Sequence, residues 1–238
     1  NEQTHLVSAS HLEHWFESRN WKRSTIDGVI AKVGPFFSWL VRENLIDANP
    51  CEFLQKPISE ENNPPKILSP SQAHSLLFTA LKLDPPTARY FAIGLFAGVR
   101  PHEIGRLSRE DISSRYIEIS APKAKTRKRR LITVLPNLGK WLLVSEFLPV
   151  KNKRRRLEKV ISNAGLRWSH DVMRHSFASY HLAQFRSAEK TALEMGHRDT
   201  NILFRHYREL VTLENAKAYW SITPADPPNP QSPQSTLE

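Results

Sequence analysis

"RYIEISAPKAKTRKRRLITVL", residues 115–135, decides the fold class. Two runs rich in β-branched and aromatic residues, 115–120 and 129–135, flank the polar "APKAKTRK". That pattern predicts a β-hairpin. On both sides of it, apolar residues recur at helical rather than alternating spacing. Helices are expected near 138–147, 152–164, 171–185, 187–195, 201–207 and 212–220. The chain therefore reads as mainly α with a small β-hairpin.

The hairpin is also the most basic part of the chain. Lys123, Lys125, Arg127, Lys128, Arg129 and Arg130 crowd into eight positions. A ribbon with this charge can lie against a DNA groove; a solvated basic loop is the ordinary alternative. A lysine at the tip can also donate a proton, because Lys shifts its pKa readily when desolvated or near other cations. The run from Lys151 to Lys159 reads as a charged helix face. Over 238 residues, 34 Lys and Arg stand against 24 Asp and Glu, a net charge of +10. Such a balance suits a polyanion, nucleic acid ahead of an anionic membrane.

The single cysteine, Cys51, excludes a disulfide framework and a Cys-based zinc site. It fits a reducing cytosol, so a cytoplasmic location is expected. No apolar run approaches ~18 residues, which excludes a transmembrane helix and predicts no membrane role. The histidines between 170 and 206 follow neither HExxH nor a Cys/His spacing, so no metal is expected. No signal-peptide pattern stands at the start, and the first residue is Asn rather than Met.

Further out, residues 8–54 read as helices. Leu12, Trp15 and Phe16 share one face, and Ile26, Val29, Ile30, Val33, Phe36, Phe37 and Leu40 form a longer stripe. Pro35 within that stripe predicts a kink or break. "QKPISEENNPPKI", 55–67, is polar and Pro-rich, as linkers are. Ser69-Pro70-Ser71-Gln72 then combines an N-cap, a Pro at the first helical position and a capping-box Gln. The expected organisation is a helical domain over 1–56, a linker over 57–67, a second domain over 68–222 and a disordered Pro-rich tail over 223–238.

Three stretches carry candidate chemistry. In "GLFAGVRPHEIGRLSREDI", 94–112, an apolar helix ends near Gly98 and Pro101 can open the next. Arg100 offers a planar donor fork suited to phosphate, and Glu103 stands at the right spacing to orient it. A surface Arg–Glu pair is the ordinary alternative. In "SHDVMRHSFASYHLAQF", 169–185, Val172, Phe177 and Leu182 can face a core, while Arg174 and His175 sit near a helix start, which favours an anion. His170, His175 and His181 read as surface or satisfied core histidines. In "MGHRDTNILFRHYREL", 195–210, Gly196 stops a helix before His197, and Tyr207 lies between His206 and Arg208. A tyrosine is a poor nucleophile at its ordinary pKa of about 10. Cations around a phosphate favour its phenolate. Packing on an amphipathic helix is the plain alternative.

Taken in order, "GVRPHEI", a Lys-bearing hairpin, "MRHSFAS", "MGH" and a following Tyr resemble the tyrosine recombinase (phage integrase) family, over roughly 67–220. The resemblance implies a two-domain architecture, a helical core-binding domain plus a mixed α/β catalytic domain. It implies a catalytic set of Arg100, Lys125, Arg174, His197, Tyr207 and Asp171, with Tyr207 the nucleophile and Glu103 the acidic residue that follows the first arginine. "KTRKRRLI" favours Lys125 as the hairpin lysine, with Lys123 the runner-up. The family's His-x-x-Arg histidine is replaced here by Asp171, with His170 one residue earlier, so either fills that role. His197 and Tyr207 stand ten residues apart, one more than the commonest spacing.

The implied reaction is DNA cleavage and rejoining through a 3′-phosphotyrosine, requiring no metal, ATP or other cofactor. The implied partners are double-stranded DNA, three further copies in a homo-tetramer on two duplexes, and DNA-bending accessory proteins. Such a protein serves DNA integration and recombination in mobile elements. The C-terminal helix at 212–220, with Leu213, Ala216 and Trp220 on one face, either reaches a neighbouring copy or packs in its own chain. Competing readings are a type IB topoisomerase-like nicking and closing enzyme, a non-catalytic DNA-binding protein with the same fold, and an RNA-binding protein. The last lacks an RNP-type aromatic strand or a KH-type loop.

Overall fold

A computed structural model of the chain describes residues 7–21, 23–54, 65–124, 127–145, 152–196 and 211–224. The chain divides into two compact units, Asn1–Asn63 and Pro64–Glu238.

In the first unit, α1 (Ala9–Ser18) begins at the N-cap Ser8, whose hydroxyl accepts from His11 N–H. The long helix α2 (Arg23–Arg42) follows. The break expected at Pro35 does not occur, and α2 runs through it. The residue before this proline is Gly34, so no Cβ meets the pyrrolidine ring. Beyond the proline, Phe37 and Leu40 are buried, and that packing outweighs one missing backbone hydrogen bond. A 3₁₀ turn, Pro50–Glu52, closes against α2 through Asn49. Its side chain accepts from Cys51 N–H and donates to Ser38 Oγ at 3.0 Å.

The second unit is built around α4 (Pro85–Ala97), in which Phe91, Ile93, Leu95 and Phe96 are all buried. A helix apolar on every side must be central. It packs against α3 (Pro70–Leu83), α6 (Pro136–Val144) and α8 (Val172–Phe185). The capping box expected at Ser69 is present, with Ser69 Oγ accepting from Gln72 N–H and Gln72 Oε1 from Ser69 N–H. The short α5 (Pro101–Ile104), α7 (Lys153–Asn163) and α9 (Ala188–Met195) complete the shell. The helices α3, α4, α5 and α6 all open on Pro, where the missing N–H costs nothing.

The sheet among the described residues is the expected hairpin. β1 (Tyr116–Ile119) pairs antiparallel with β2 (Arg130–Thr133), Ile117 opposite Ile132 and Ile119 opposite Arg130. Both strands are slightly shorter than the β-rich runs. Ile117, Ile119 and Ile132 are buried, so the hairpin has one apolar face.

Helix α10 (Leu213–Trp220) packs in its own chain, against α8 and α3. The face expected from Leu213, Ala216 and Trp220 is corrected. Ala216 and Tyr219 are fully buried, while Leu213 is exposed. The Tyr219 ring stacks on Tyr180 at 3.8 Å, and its hydroxyl donates to Leu95 O at 2.7 Å. The polar tip finds a buried acceptor, which lets the aromatic body go inside. Trp220 is partly buried and donates from Nε1 to Tyr180 O at 3.2 Å. The helix expected at 201–207 and the tail beyond Pro224 lie outside the described residues.

Candidate active site

Helix α4 stops at Gly98, whose φ of +60° is left-handed. A Cβ there would come within 2.4 Å of Phe177 Cδ1, so the position needs glycine on two counts. The stop turns the chain so that Arg100 becomes the N-cap of α5 and Glu103 lies in its first turn. Glu103 Oε2 accepts from Arg100 N–H at 3.3 Å, and Oε1 lies 3.5 Å from Arg100 Nη1. Glu103 has no exposed side-chain surface.

The same carboxylate meets a second guanidinium, that of Arg130. Arg130 Nη2 donates to Oε2 at 2.5 Å and Nη1 to Oε1 at 3.3 Å. Arg130 was expected among the hairpin residues that contact DNA; it turns inward instead, with its side chain 9% exposed. Strand alternation supplies the signal that finds it, since Arg130 lies two residues from the buried Ile132 on the same face. Arg129, on the opposite face, pairs with Glu118 across the hairpin, Nε to Oε1 at 2.6 Å. Arg127 and Lys128 are exposed.

Arg174, buried at the first turn of α8, donates to Gly98 O at 2.5 Å and to Met195 O at 2.6 Å. Those are the terminal carbonyls of α4 and α9, which have no intrahelical partner and carry the negative end of each helix dipole. They make a buried cation tolerable. Burial first, and then the charges of Arg100 and Arg130, push the Arg174 guanidinium down to about 9; Glu103 and Asp171 oppose them. It remains cationic at neutral pH. The three arginines thus share one site around one fully buried carboxylate. Arg100 Nη1 and Arg130 Nε are buried donors with no hydrogen-bond acceptor among the described residues.

Gly196 ends α9 in the left-handed conformation, φ +64°, and lies directly on Arg130: a Cβ would stand 2.9 Å from Arg130 Cδ and 3.3 Å from Nε. Asp171, the N-cap of α8, is partly buried and helps hold Arg174 charged. His170, the alternative for the family's histidine position, is 95% exposed, with Nδ1 3.4 Å from Asp171 Oδ2. His175 is partly buried, its N–H donating to Asp171 O at 2.8 Å.

Lys123 is bound to Asp111 Oδ2 and lies 3.4 Å from Ser108 Oγ. It is held at the base of the hairpin rather than free at its tip. Lys125, His197 and Tyr207 lie outside the described residues. Of the basic run after 151, Arg154 pairs with Glu158 and Arg156 with Asp84. Lys153, expected on the charged face of that run, instead donates to Pro101 O at 3.3 Å and lies 4.6 Å from the centre of the Tyr90 ring. It anchors α7 to the first residue of α5.

Among the described residues no cluster of three or more His, Cys, Asp or Glu forms a metal-ligand set, and no helix is long and apolar enough to cross a membrane.

No family model and no curated protein matches the chain. Solved structures do. The Tn1549 transposon integrase in complex with a circular intermediate DNA matches at 18% identity over 90% of this chain and 85% of that one, with a TM-score of 0.67. A lambda integrase dimer bound to a COC′ core site matches at 12% identity, over 87% and 83%, with a TM-score of 0.69. The XerA recombinase matches at 18% identity, over 89% and 81%, with a TM-score of 0.52. At these identities the likeness is one of fold, and the mainly helical architecture with a small hairpin is the one these recombinases and integrases share.

Proposed function

We propose that the chain is a tyrosine-type site-specific DNA recombinase, an integrase that cleaves and rejoins DNA strands through a 3′-phosphotyrosine. The observation that carries this reading is the convergence of Arg100 and Arg174 from distant helices on one buried, cation-rich cluster with donors left over. Such a cluster suits a phosphate that gains charge in its transition state. The shared fold with integrases whose structures were solved on DNA supports it, as does the net charge of +10.

In the proposed reaction, the Tyr207 oxygen attacks the scissile phosphorus in line. A P–O bond forms to the tyrosine, and the P–O bond to the 5′-oxygen breaks. Arg100 and Arg174 hold the non-bridging oxygens as charge builds up on them, and His197 adds a hydrogen bond. Asp171 accepts the tyrosine proton: an ionised carboxylate is acceptor-only, so taking a proton fits it better than donating to phosphate. Lys125 gives a proton to the departing 5′-oxygen. Attack by the 5′-hydroxyl of a partner strand reverses the step. The covalent link keeps the energy of the phosphodiester, so no ATP or metal enters the balance. Exchange between two duplexes calls for four active sites in a homo-tetramer, with DNA-bending proteins as further partners. A cytoplasmic location accords with the unpaired Cys51.

Capture of the covalent adduct tests the reading. Supercoiled DNA carrying the gene's own flanking sequence is incubated with the protein and denatured. Protein-linked DNA is expected with the parent chain and absent with Tyr207→Phe. An adduct that persists in Tyr207→Phe removes Tyr207 as nucleophile. No adduct in either, with salt-sensitive DNA binding on the same substrate, moves the chain to the non-catalytic DNA-binding reading. Supercoil relaxation without strand exchange would make it topoisomerase-like.

A further inference from the structure

Arg130 stands outside the proposed catalytic set, yet its side chain touches both Glu103 and the end of α9. Its fork engages both oxygens of Glu103, at 2.5 and 3.3 Å. The Arg100 guanidinium meets the same carboxylate only at 3.5 Å, and its Nη1 keeps no hydrogen-bond acceptor among the described residues. The two arginines compete for one buried anion, and Arg130 holds the better geometry. A bidentate Arg–carboxylate pair is the strongest arrangement available to Glu103. Were Arg130 absent, the Arg100 guanidinium, already 3.5 Å from Glu103, would be drawn into that place. Its donors would then be spent inside the protein. On its other side, the stem of Arg130 lies under Gly196, one residue after the carbonyl that holds Arg174.

We propose that Arg130 is a positioning residue of the phosphate site: by occupying Glu103 it leaves the Arg100 guanidinium available to a phosphate, and by bearing on Gly196 it keeps the end of α9 in register with Arg174. The inference rests on the reading of Arg100 and Arg174 as phosphate-binding. It predicts something a merely structural buried ion pair would not. The harm done by losing Arg130 comes from Glu103 capturing Arg100, so removing the charge of Glu103 should undo it.

The test uses the full chain and inorganic phosphate as the probe, with the half-saturating concentration read from the phosphate-dependent rise in unfolding temperature. Arg174→Met serves to identify the part of the response that belongs to this site. Arg130→Met is expected to raise the half-saturating phosphate about tenfold, the scale of one charge-assisted donor. Arg130→Met with Glu103→Gln is expected to return most of that loss, a coupling that a double-mutant cycle isolates. Should Arg130→Met fail to fold, Arg130→Lys carries the test. It keeps the charge but gives one donor in place of a fork, and a loss of about threefold is expected.

An unchanged half-saturation in Arg130→Met, or in Arg130→Lys where that carries the test, overturns the proposal. So does a loss that Glu103→Gln fails to restore in a chain whose circular dichroism is unaltered. A parent chain whose phosphate response equals that of Arg174→Met overturns the phosphate-site reading itself, and the proposal falls with it.

Discussion

Arg174 Nη2 donates to Met195 O at 2.6 Å, which ties the second arginine of the site to the last residue of α9. The other arm of the same fork reaches Gly98 O at the end of α4. One guanidinium thus joins two helix ends that lie far apart in sequence. A lysine in its place has a single ammonium and cannot hold both carbonyls in one plane. Arg174→Lys is expected to fold and to keep salt-sensitive DNA binding, but to form the covalent adduct about 10²–10³-fold more slowly. The rate of adduct formation on supercoiled DNA, compared with the parent chain, checks this.

The buried His181 makes stability depend on pH. Thr191 Oγ1 donates its hydrogen to Ser187 O, so at 2.8 Å it accepts from His181 Nδ1–H. Burial, with Lys190 adding to it, pushes the imidazole down to about 4 from an ordinary 6.5. Between those values the unfolded chain binds a proton that the folded chain does not. Stability therefore falls as pH drops through that window and is unaffected by this group above it. The loss from His181 is about 2 kcal/mol between pH 7 and pH 5. Urea unfolding at both pH values should show it, and His181→Leu should reduce the pH dependence by about that amount.

Gly98→Ala tests the turn that delivers Arg100. The substitution places a Cβ at φ +60° and within 2.4 Å of the Phe177 ring, which is itself buried. Left-handed strain costs about 1–2 kcal/mol, and a ring that must shift in a packed core adds about 1–3 kcal/mol. A drop of at least about 2 kcal/mol in unfolding free energy is expected from the denaturant midpoint. A change under about 0.5 kcal/mol would mean that the turn relaxes freely.

The two hairpin lysines separate by chemistry. Lys123 is committed to Asp111 and Ser108. Lys123→Met is expected to change the cleavage rate less than about threefold, whereas Lys125→Met should slow it about 10²–10⁴-fold, the range for a general acid. A DNA substrate with sulfur in place of the bridging 5′-oxygen leaves as a thiolate and needs no proton. It should restore Lys125→Met to near the parent rate and leave a Tyr207→Phe chain inactive.

Much of the fold was legible along the chain because its signals are local. The capping box at Ser69 and Gln72 spans four residues, and the hairpin declares itself by alternation between Ile117, Ile119 and Ile132. The pairing of Arg100 with Glu103 follows from their i,i+3 spacing on one turn. Two local rules misled. Pro35 reads as a break, but the burial of Phe37 and Leu40 carries α2 through it. In α10, helical spacing put Leu213 inward, whereas the buried residue is Tyr219, whose hydroxyl needed an acceptor on α4.

The order of motifs, the helical class with one hairpin, the basic charge and the types of residue at Arg100, Arg174 and Asp171 were determined by the amino-acid sequence alone. Only the tertiary structure decided which cation shares Glu103. Arg130 belongs by sequence to the basic hairpin and by position to the buried site. It likewise decided that Lys123 is bound to Asp111, that Asp171 is partly buried where His170 is exposed, and that the stem of Arg130 lies under Gly196. The physical reason is the same in each case. Propensity, capping and periodicity act within a few residues. The partner of a buried charge is set by which distant chain segments close over it, and once water is excluded that charge must take the partner the fold provides.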